Sequence, residues 1–398
     1  MNRFHVLATS LAALGLAACN SDSGGGAATD AGTDAAIKTD ASVSTDAGTP
    51  PVIDSGTMSK PDASTVVDAA VPDAAVHDGG DGAVFIPVGG GGRAPKAMII
   101  SMFGPEGQVW IDNMKLTQEI FVPGLSPDYP TVHCNDDDVC NVITGMGHAN
   151  AASSISALVY NGGFDLTKTV FLIAGIAGID PGQGTLGSAA WARYLVDFGL
   201  QWEIDAREMP DGWPYGYFGI GTKGPTEKPS LDYRTEVFQV NEVLLQRALR
   251  LSKDVVLDDS DDAVKFRAKY GASPASDPPK VIQCDTAAGD TWFAGTALGQ
   301  RARDWTKLLT DDKGTYCTTQ QEDNATFEVL KRAAAIGKLN LDSVAVLRTG
   351  SDFDRPYTGQ TDGDGLVNYG AQGGFVPAIS NLYKAGSPLI EDVVANGP

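Results

Sequence analysis

Thr169-Val170-Phe171-Leu172-Ile173-Ala174-Gly175-Ile176-Ala177-Gly178-Ile179 is the stretch whose reading decides the fold. Its apolar run is unbroken, without the alternation of a strand that shows one face to water. That pattern describes a strand buried on both faces, as in the parallel sheets of α/β proteins. The run passes directly into Gly175-Ile176-Ala177-Gly178. In α/β proteins, ligand-binding backbone is placed where short apolar strands end in such turns, because glycine lets a ligand approach the main chain.

Working outward, Lys96–Met102, Val142–Thr144 and Ser343–Arg348 repeat the buried-strand pattern. Asn150–Tyr160, Val237–Leu251 and Asn324–Ile336 carry apolar residues at helical spacing, the last closed by Gly337. Strands alternating with helices predict an α/β fold with a mostly parallel or mixed central sheet flanked by helices. Two further strands run into glycine-rich turns, Met102-Phe103-Gly104-Pro105-Glu106-Gly107 and Thr144-Gly145-Met146-Gly147-His148.

The N-terminus has a different character. Arg3, the short apolar run Val6–Ala18 and Leu16-Ala17-Ala18-Cys19 have the form of a secretion signal ending in a lipobox. The expectation is a signal peptide over residues 1–18 and lipidation at Cys19, which would tether an exported protein to the bacterial cell envelope, at the periplasm or the cell surface. Residues 19–94 are Ala, Asp, Gly, Thr, Pro and Ser with almost no aromatics, a composition that cannot bury enough apolar area to offset its ordering entropy. A disordered tether over 19–94 and one globular domain over 95–398 are predicted. No later segment approaches the ~20 apolar residues of a spanning helix, so a lipid anchor is the expected membrane contact.

The net charge is -21, from 50 acidic against 29 basic residues, and no basic cluster is visible. Nucleic acid is excluded as a partner, since phosphate binding needs concentrated Lys and Arg. Five cysteines, less Cys19, leave four in an exported chain that meets oxidising conditions. Cys134 with Cys140 and Cys284 with Cys317 is the local pairing among the three connectivities that four cysteines allow. Only four His are present, none at a ligand-like spacing from a Cys, and no metal is expected.

The Gly-rich turns also follow an order. Together with Ala288-Gly289-Asp290-Thr291-Trp292-Phe293, Gln321-Glu322-Asp323-Asn324-Ala325 and Thr349-Gly350-Ser351-Asp352, the series resembles the nucleoside phosphorylase superfamily. It is most similar to the hydrolytic branch, the methylthioadenosine/adenosylhomocysteine nucleosidases. The stretch is more similar still to the purine nucleoside permease (NUP) family of fungi and bacteria. That likeness is carried by Ile99–Phe103 with Glu106 and Trp110, Ile173–Ile179, Cys284-Asp285 with Gly289-Asp290-Thr291, and Glu322-Asp323.

The resemblance implies a purine nucleoside as ligand and no organic cofactor, with phosphate as a co-substrate in the phosphorylase branch. Carried over residue by residue, it makes Asp352 the donor to purine N7 and Glu106 the group that positions or deprotonates water. Glu322 would bind the ribose hydroxyls. Trp292 would stack on the base, with Phe293, Gly175, Ala177, Gly178, Thr144, Gly145 and Asn324 completing the binding site. Each has a plainer reading. Asp352 could be a turn residue with Asp354 as its rival, Glu322 a helix-start acid, Glu106 a solvent-facing turn acid and Trp292 core. Gln321 stands where the nucleosidases have Met.

The first turn carries Glu106 and no Arg, so water is the expected nucleophile, unless Arg348 or Arg355 reaches the site from another strand. Asp211–Gly219 is the densest aromatic cluster, read either as a lid over the site or as a loop packed by its own aromatics. Two functions follow. One is purine nucleoside N-ribosidase activity; the alternative is a non-catalytic nucleoside-binding lipoprotein that passes its ligand to a separate transporter. The superfamily's habits imply a homodimer or larger homo-oligomer.

Overall fold

Buried-strand patterns need partners on both edges, and the two strongest of them lie side by side at the centre of the sheet. The computed structural model describes residues 92–161 and 163–398. The expected signal peptide, Cys19 and nearly all of the 19–94 tether lie outside the described residues. In chain order the strands are β1 Ala97–Ser101, β2 Gln118–Phe121, β3 Thr131–Cys134, β4 Val139–Ile143, β5 Val170–Ile179, β6 Ala189–Trp191 and β7 Tyr194–Asp197. They continue with β8 Trp202–Glu203, β9 Tyr217–Phe218, β10 Val237–Gln239, β11 Val281–Gln283, β12 Asp285–Ala288, β13 Tyr316–Gln320 and β14 Val344–Phe353. The α-helices are α1 Gly104–Asn113, α2 His148–Tyr160, α3 Glu242–Ser252, α4 Asp261–Arg267, α5 Thr296–Leu309, α6 Asp323–Ala335, α7 Asp362–Val367 and α8 Phe375–Asn396.

The sheet is mixed. Strands β4, β1, β5 and β14 run parallel to one another, as do β7, β12 and β13 in a second block. The blocks join through an antiparallel contact of β13 with the end of β5. Along one edge of β5, β1 pairs with Val170 to Ile173 and β13 pairs with Gly178 and Ile179. Between those partners the edge around Ile176 has no strand beside it, and side chains take over its backbone groups. On the other edge β14 accompanies β5 from Phe171 to Ile179. Helix α8 lies on β14 and β5, with α1 and α3 against it, while α2 packs on α6.

Two expectations change here. Val237–Leu251 is not one helix: Val237–Gln239 pairs antiparallel with β7, and Asn241 then starts α3 by accepting from the Val243 and Leu244 amides. Asn is a favoured N-cap because its side chain satisfies amides that the first turn leaves orphaned. Strands β5 and β14 also extend through their glycines to Ile179 and Phe353, so Gly175–Gly178 is strand and not turn. The disulfides are Cys134–Cys140, across the β3–β4 hairpin, and Cys284–Cys317, between the start of β12 and β13.

Candidate functional site

A cavity of about 310 Å³ opens where β5 lacks a strand partner. Its polar wall starts at Glu106, in the first turn of α1. The Glu106 carboxylate reaches back to the Met102 amide (2.8 Å) and the Phe103 amide (3.3 Å), and its other oxygen accepts from Ile176 N–H at 2.7 Å. It thus takes the place of the missing strand. Burial pushes its pKa up to about 7, against the opposing pull of Arg348 and with a further push from Glu322. The plainer reading of Glu106 as a solvent-facing turn acid does not hold, because the side chain is buried.

Arg348, on β14, is 1% exposed. A buried arginine inside an apolar strand needs partners, and it has them. Its Nη1 donates to the Ile176 carbonyl at 3.0 Å, and its Nη2 donates to Asp323 Oδ1 at 2.5 Å, Glu322 Oε2 at 3.2 Å and Gln320 Oε1 at 3.2 Å. Nε also donates to Asp323. The side chain passes directly over Gly175, where an added Cβ would stand 2.5 Å from Arg348 Nη1 and 2.9 Å from Glu106 Oε1. Gly175 is required because the charged pair occupies the space of a side chain.

Glu322 precedes α6 and accepts from the Gly147 amide at 3.0 Å, which ties the second glycine turn to the cavity. Asp352 enters from the end of β14. A register irregularity between Gly350 and Asp352, opposite Ala177 and Gly178 of β5, places an extra residue in β14, and a bulge of this kind re-aims side chains. Ser351 and Asp352 therefore both line the cavity. The Ser351 hydroxyl donates to Asp352 Oδ1 at 2.7 Å. Burial pushes Asp352 up to about 6, with Ser351 pulling down and Asp354 pushing further up. Asp354 faces elsewhere: Arg355 donates to both of its oxygens at 2.8 and 2.9 Å, and Tyr316 donates its hydroxyl at 2.8 Å.

Glu106, Glu322, Asp352, Trp292, Ala177 and Gly178 thus meet around one space. Trp292 is 47% exposed at the rim, 4.6 Å from the Tyr369 ring, and Phe103 approaches Phe375 at 6.2 Å. Other expected binding residues stand behind the wall. Phe293 points away from its neighbour Trp292 and packs on Phe198 at 5.0 Å in the core, so it is not part of the cavity. Asn324 is buried and donates to the Thr235 carbonyl. Thr144 is buried, bonded to its own turn, and Gly145 adopts φ 84° against Asn150. That turn acts through Met146, which lines the cavity, and through the Gly147 amide.

The aromatic cluster around Asp211–Gly219 forms no part of the cavity wall. Trp202 and Trp213 pack edge-on against Phe218, and Tyr217 covers the buried Arg301 guanidinium at 4.5 Å. Sequence reading missed Asp323, Gln320, Ser351 and Tyr369 as parts of the site. For Asp323 a signal was present, since an arginine in a buried strand demands a buried acid.

Residues 94–397 match the family described as purine nucleoside permease (NUP). The chain belongs to the purine nucleoside permease family. A purine nucleoside permease of Candida albicans is 42% identical over 307 residues, covering 76% of this chain and 75% of that protein. A Schizosaccharomyces pombe protein named as a probable purine nucleoside permease is 43% identical over 313 residues, covering 75% of this chain and 89% of its own. Among solved structures, the 5′-methylthioadenosine/S-adenosylhomocysteine nucleosidase of Neisseria meningitidis aligns at TM-score 0.43 and 12% identity, over 75% of this chain and 99% of its own. The Campylobacter jejuni nucleosidase of the same name aligns at TM-score 0.42 and 16% identity, over 74% and 99%.

These permease relatives correct one expectation. Placement as a lipid-anchored protein of the bacterial cell envelope does not stand, because the curated relatives are proteins of the fungi Candida albicans and Schizosaccharomyces pombe. Among the described residues, no helix is long and apolar enough to cross a membrane.

Proposed function

We propose that this chain binds purine nucleosides in the cavity beside β5, in support of nucleoside uptake. The single observation that carries this reading is the meeting of Glu106, Glu322, Asp352 and Trp292 around one space large enough for a small ligand. Glu322 is a hydrogen-bond acceptor for ribose hydroxyls, Trp292 offers an aromatic face to the base, and Asp352 faces a ring nitrogen. The family's name for its fungal members supports the same ligand class.

A second reading, cleavage of the N-glycosidic bond, is favoured by the pairing of Asp352 with Glu106. Both carboxyls are raised by burial, to about 6 and about 7, into the range where a side chain exchanges protons near neutrality. In this reading water adds to C1′ of the ribose and gives a proton to Glu106. The C1′–N9 bond breaks with its electrons passing to the purine, and Asp352 supplies a proton to N7. Glu322 holds the sugar hydroxyls while C1′ carries positive character. The products are free purine and ribose.

Calorimetry with adenosine, inosine and guanosine tests binding on the full chain. Chromatographic detection of free purine, beside Asp352→Asn, tests cleavage. Binding with release that disappears in the variant supports both readings. Binding without release keeps nucleoside capture and rejects hydrolysis, and no binding of any nucleoside rejects both.

A further inference from the structure

Arg348 is the one cationic side chain among the described residues that line the cavity, and all of its N–H donors but one, on Nη1, are engaged. Asp323, 0% exposed, stands behind it and accepts from both Nε and Nη2, while Glu322 and Gln320 share Nη2 and the Ile176 carbonyl accepts from Nη1. Phosphate recognition relies on a free guanidinium fork or on free amides at a helix N-terminus. Here the amides at the start of α1, of α2 and of α6 are also taken by the chain's own groups. Glu106 takes Met102 and Phe103, and the Tyr129 hydroxyl takes Gly104. Glu322 takes Gly147, Asp290 takes His148, and Gln320 takes Glu322 and Asp323. Arg355, the other candidate anion donor, is committed to Asp354 and Asp180.

We propose that this cavity excludes phosphate, and that Asp323 is the positioning residue responsible, because it neutralises and turns aside the one cation that lines the cavity among the described residues. This deepens the nucleoside-binding reading and rests on it for the ligand. It selects unphosphorylated nucleosides over nucleotides. Where the bond is cleaved, it leaves water and not phosphate as the nucleophile. With Glu322 and Asp323 bonded to the one arginine and the Glu106 carboxyl beside it, an incoming dianion meets more carboxyl groups than cations.

The test is calorimetry on the full-length wild type and on Asp323→Asn with three probes: inosine, inosine 5′-monophosphate and inorganic phosphate. The wild type is expected to show no phosphate binding at millimolar concentration. It should bind the monophosphate about 100-fold more weakly than inosine, the scale expected for like charges a few ångströms apart in partly desolvated surroundings. Asp323→Asn should acquire phosphate binding and lose about tenfold of that discrimination. Phosphate binding to wild type, equal affinity for the two nucleosidic probes, or unchanged exclusion in a folded Asp323→Asn each overturns the proposal. If the variant fails to fold by circular dichroism, the wild-type measurements still decide it. Should inosine fail to bind while phosphate binds only to Asp323→Asn, the nucleoside reading falls and the exclusion stands. Equal binding of inosine and its monophosphate gives the reverse.

Discussion

Two buried clusters of acids and arginines lie close together in this protein, and they are built to opposite rules. In the first, Arg348 faces Asp323, Glu322 and Glu106, so carboxylates outnumber the cation. In the second, Asp354 and Asp180 face Arg355 and Arg303, with the Tyr316 hydroxyl closing on Asp354. The second cluster is balanced and does not line the cavity. The first is unbalanced and opens onto it. Burial of charge without a full complement of partners is costly, and in the first cluster the excess carboxyl of Glu106 is held by backbone amides and raised in pKa by burial. The balanced cluster needs nothing further and serves packing.

The largest expected effect separates the two aspartates that stand two residues apart. Under the cleavage reading, Asp352→Asn lowers purine release about 10²- to 10⁴-fold, the usual contribution of a general acid, with a melting temperature close to wild type. Arg355→Met strikes the balanced cluster instead. Leaving Asp354 and part of Asp180 unpaired is expected to cost about 3–5 kcal/mol in urea unfolding. A variant that melts like the wild type would show that this cluster does not hold the fold.

Third in size is a pH effect in the unbalanced cluster. The folded pKa of Glu106 is raised from 4.5 to about 7, so its contribution to stability is present below about pH 4.5 and is lost as pH rises toward 7. The accumulated loss is about 3 kcal/mol at 1.36 kcal/mol per pKa unit. Glu106→Gln should therefore flatten the fall of unfolding free energy between pH 4.5 and 7; an unchanged slope would assign that fall to other groups. The smallest effect is at the rim. Trp292→Ala should raise the nucleoside Kd about 2- to 10-fold, corresponding to an aromatic stacking contribution of roughly 0.5–1.5 kcal/mol. An unaltered Kd would place the base elsewhere in the cavity.

The contrast also explains what could be read from the sequence. The apolar runs of β1, β5 and β14 need no tertiary information, because burial on both faces is written in composition, and the α/β class follows. The carboxylates could be nominated through motif order. Motif order named Asp352 over Asp354, but the physical cause of their different directions, a bulge at Ser351, is revealed only by strand register. Adjacent residues in an irregular loop take opposite directions, and so Trp292 reached the cavity while Phe293 went to the core. Thr144, Gly145 and Asn324 stand behind the cavity wall for a related reason. The turn at Thr144–His148 meets the cavity through Met146 and through the Gly147 N–H that holds Glu322, and letter spacing does not say which of its groups does so. Asp323 was visible only as half of a pair whose other half, Arg348, lies 25 residues on.

Strand β14 is buried along its whole length and is paired on one edge with β5 and on the other with β6. Its amide hydrogens are therefore among the last in the molecule to reach water. Deuterium should enter Arg348 to Asp352 only when the domain opens globally, while the rim segment with exposed Tyr369 and Val367 should exchange through local fluctuations. The groups assigned to recognition sit on the slowest-opening part of the protein. Under the nucleoside-binding proposal, ligand traffic is expected to be governed by the rim, and a bound nucleoside should protect residues near 369 far more than those near 350.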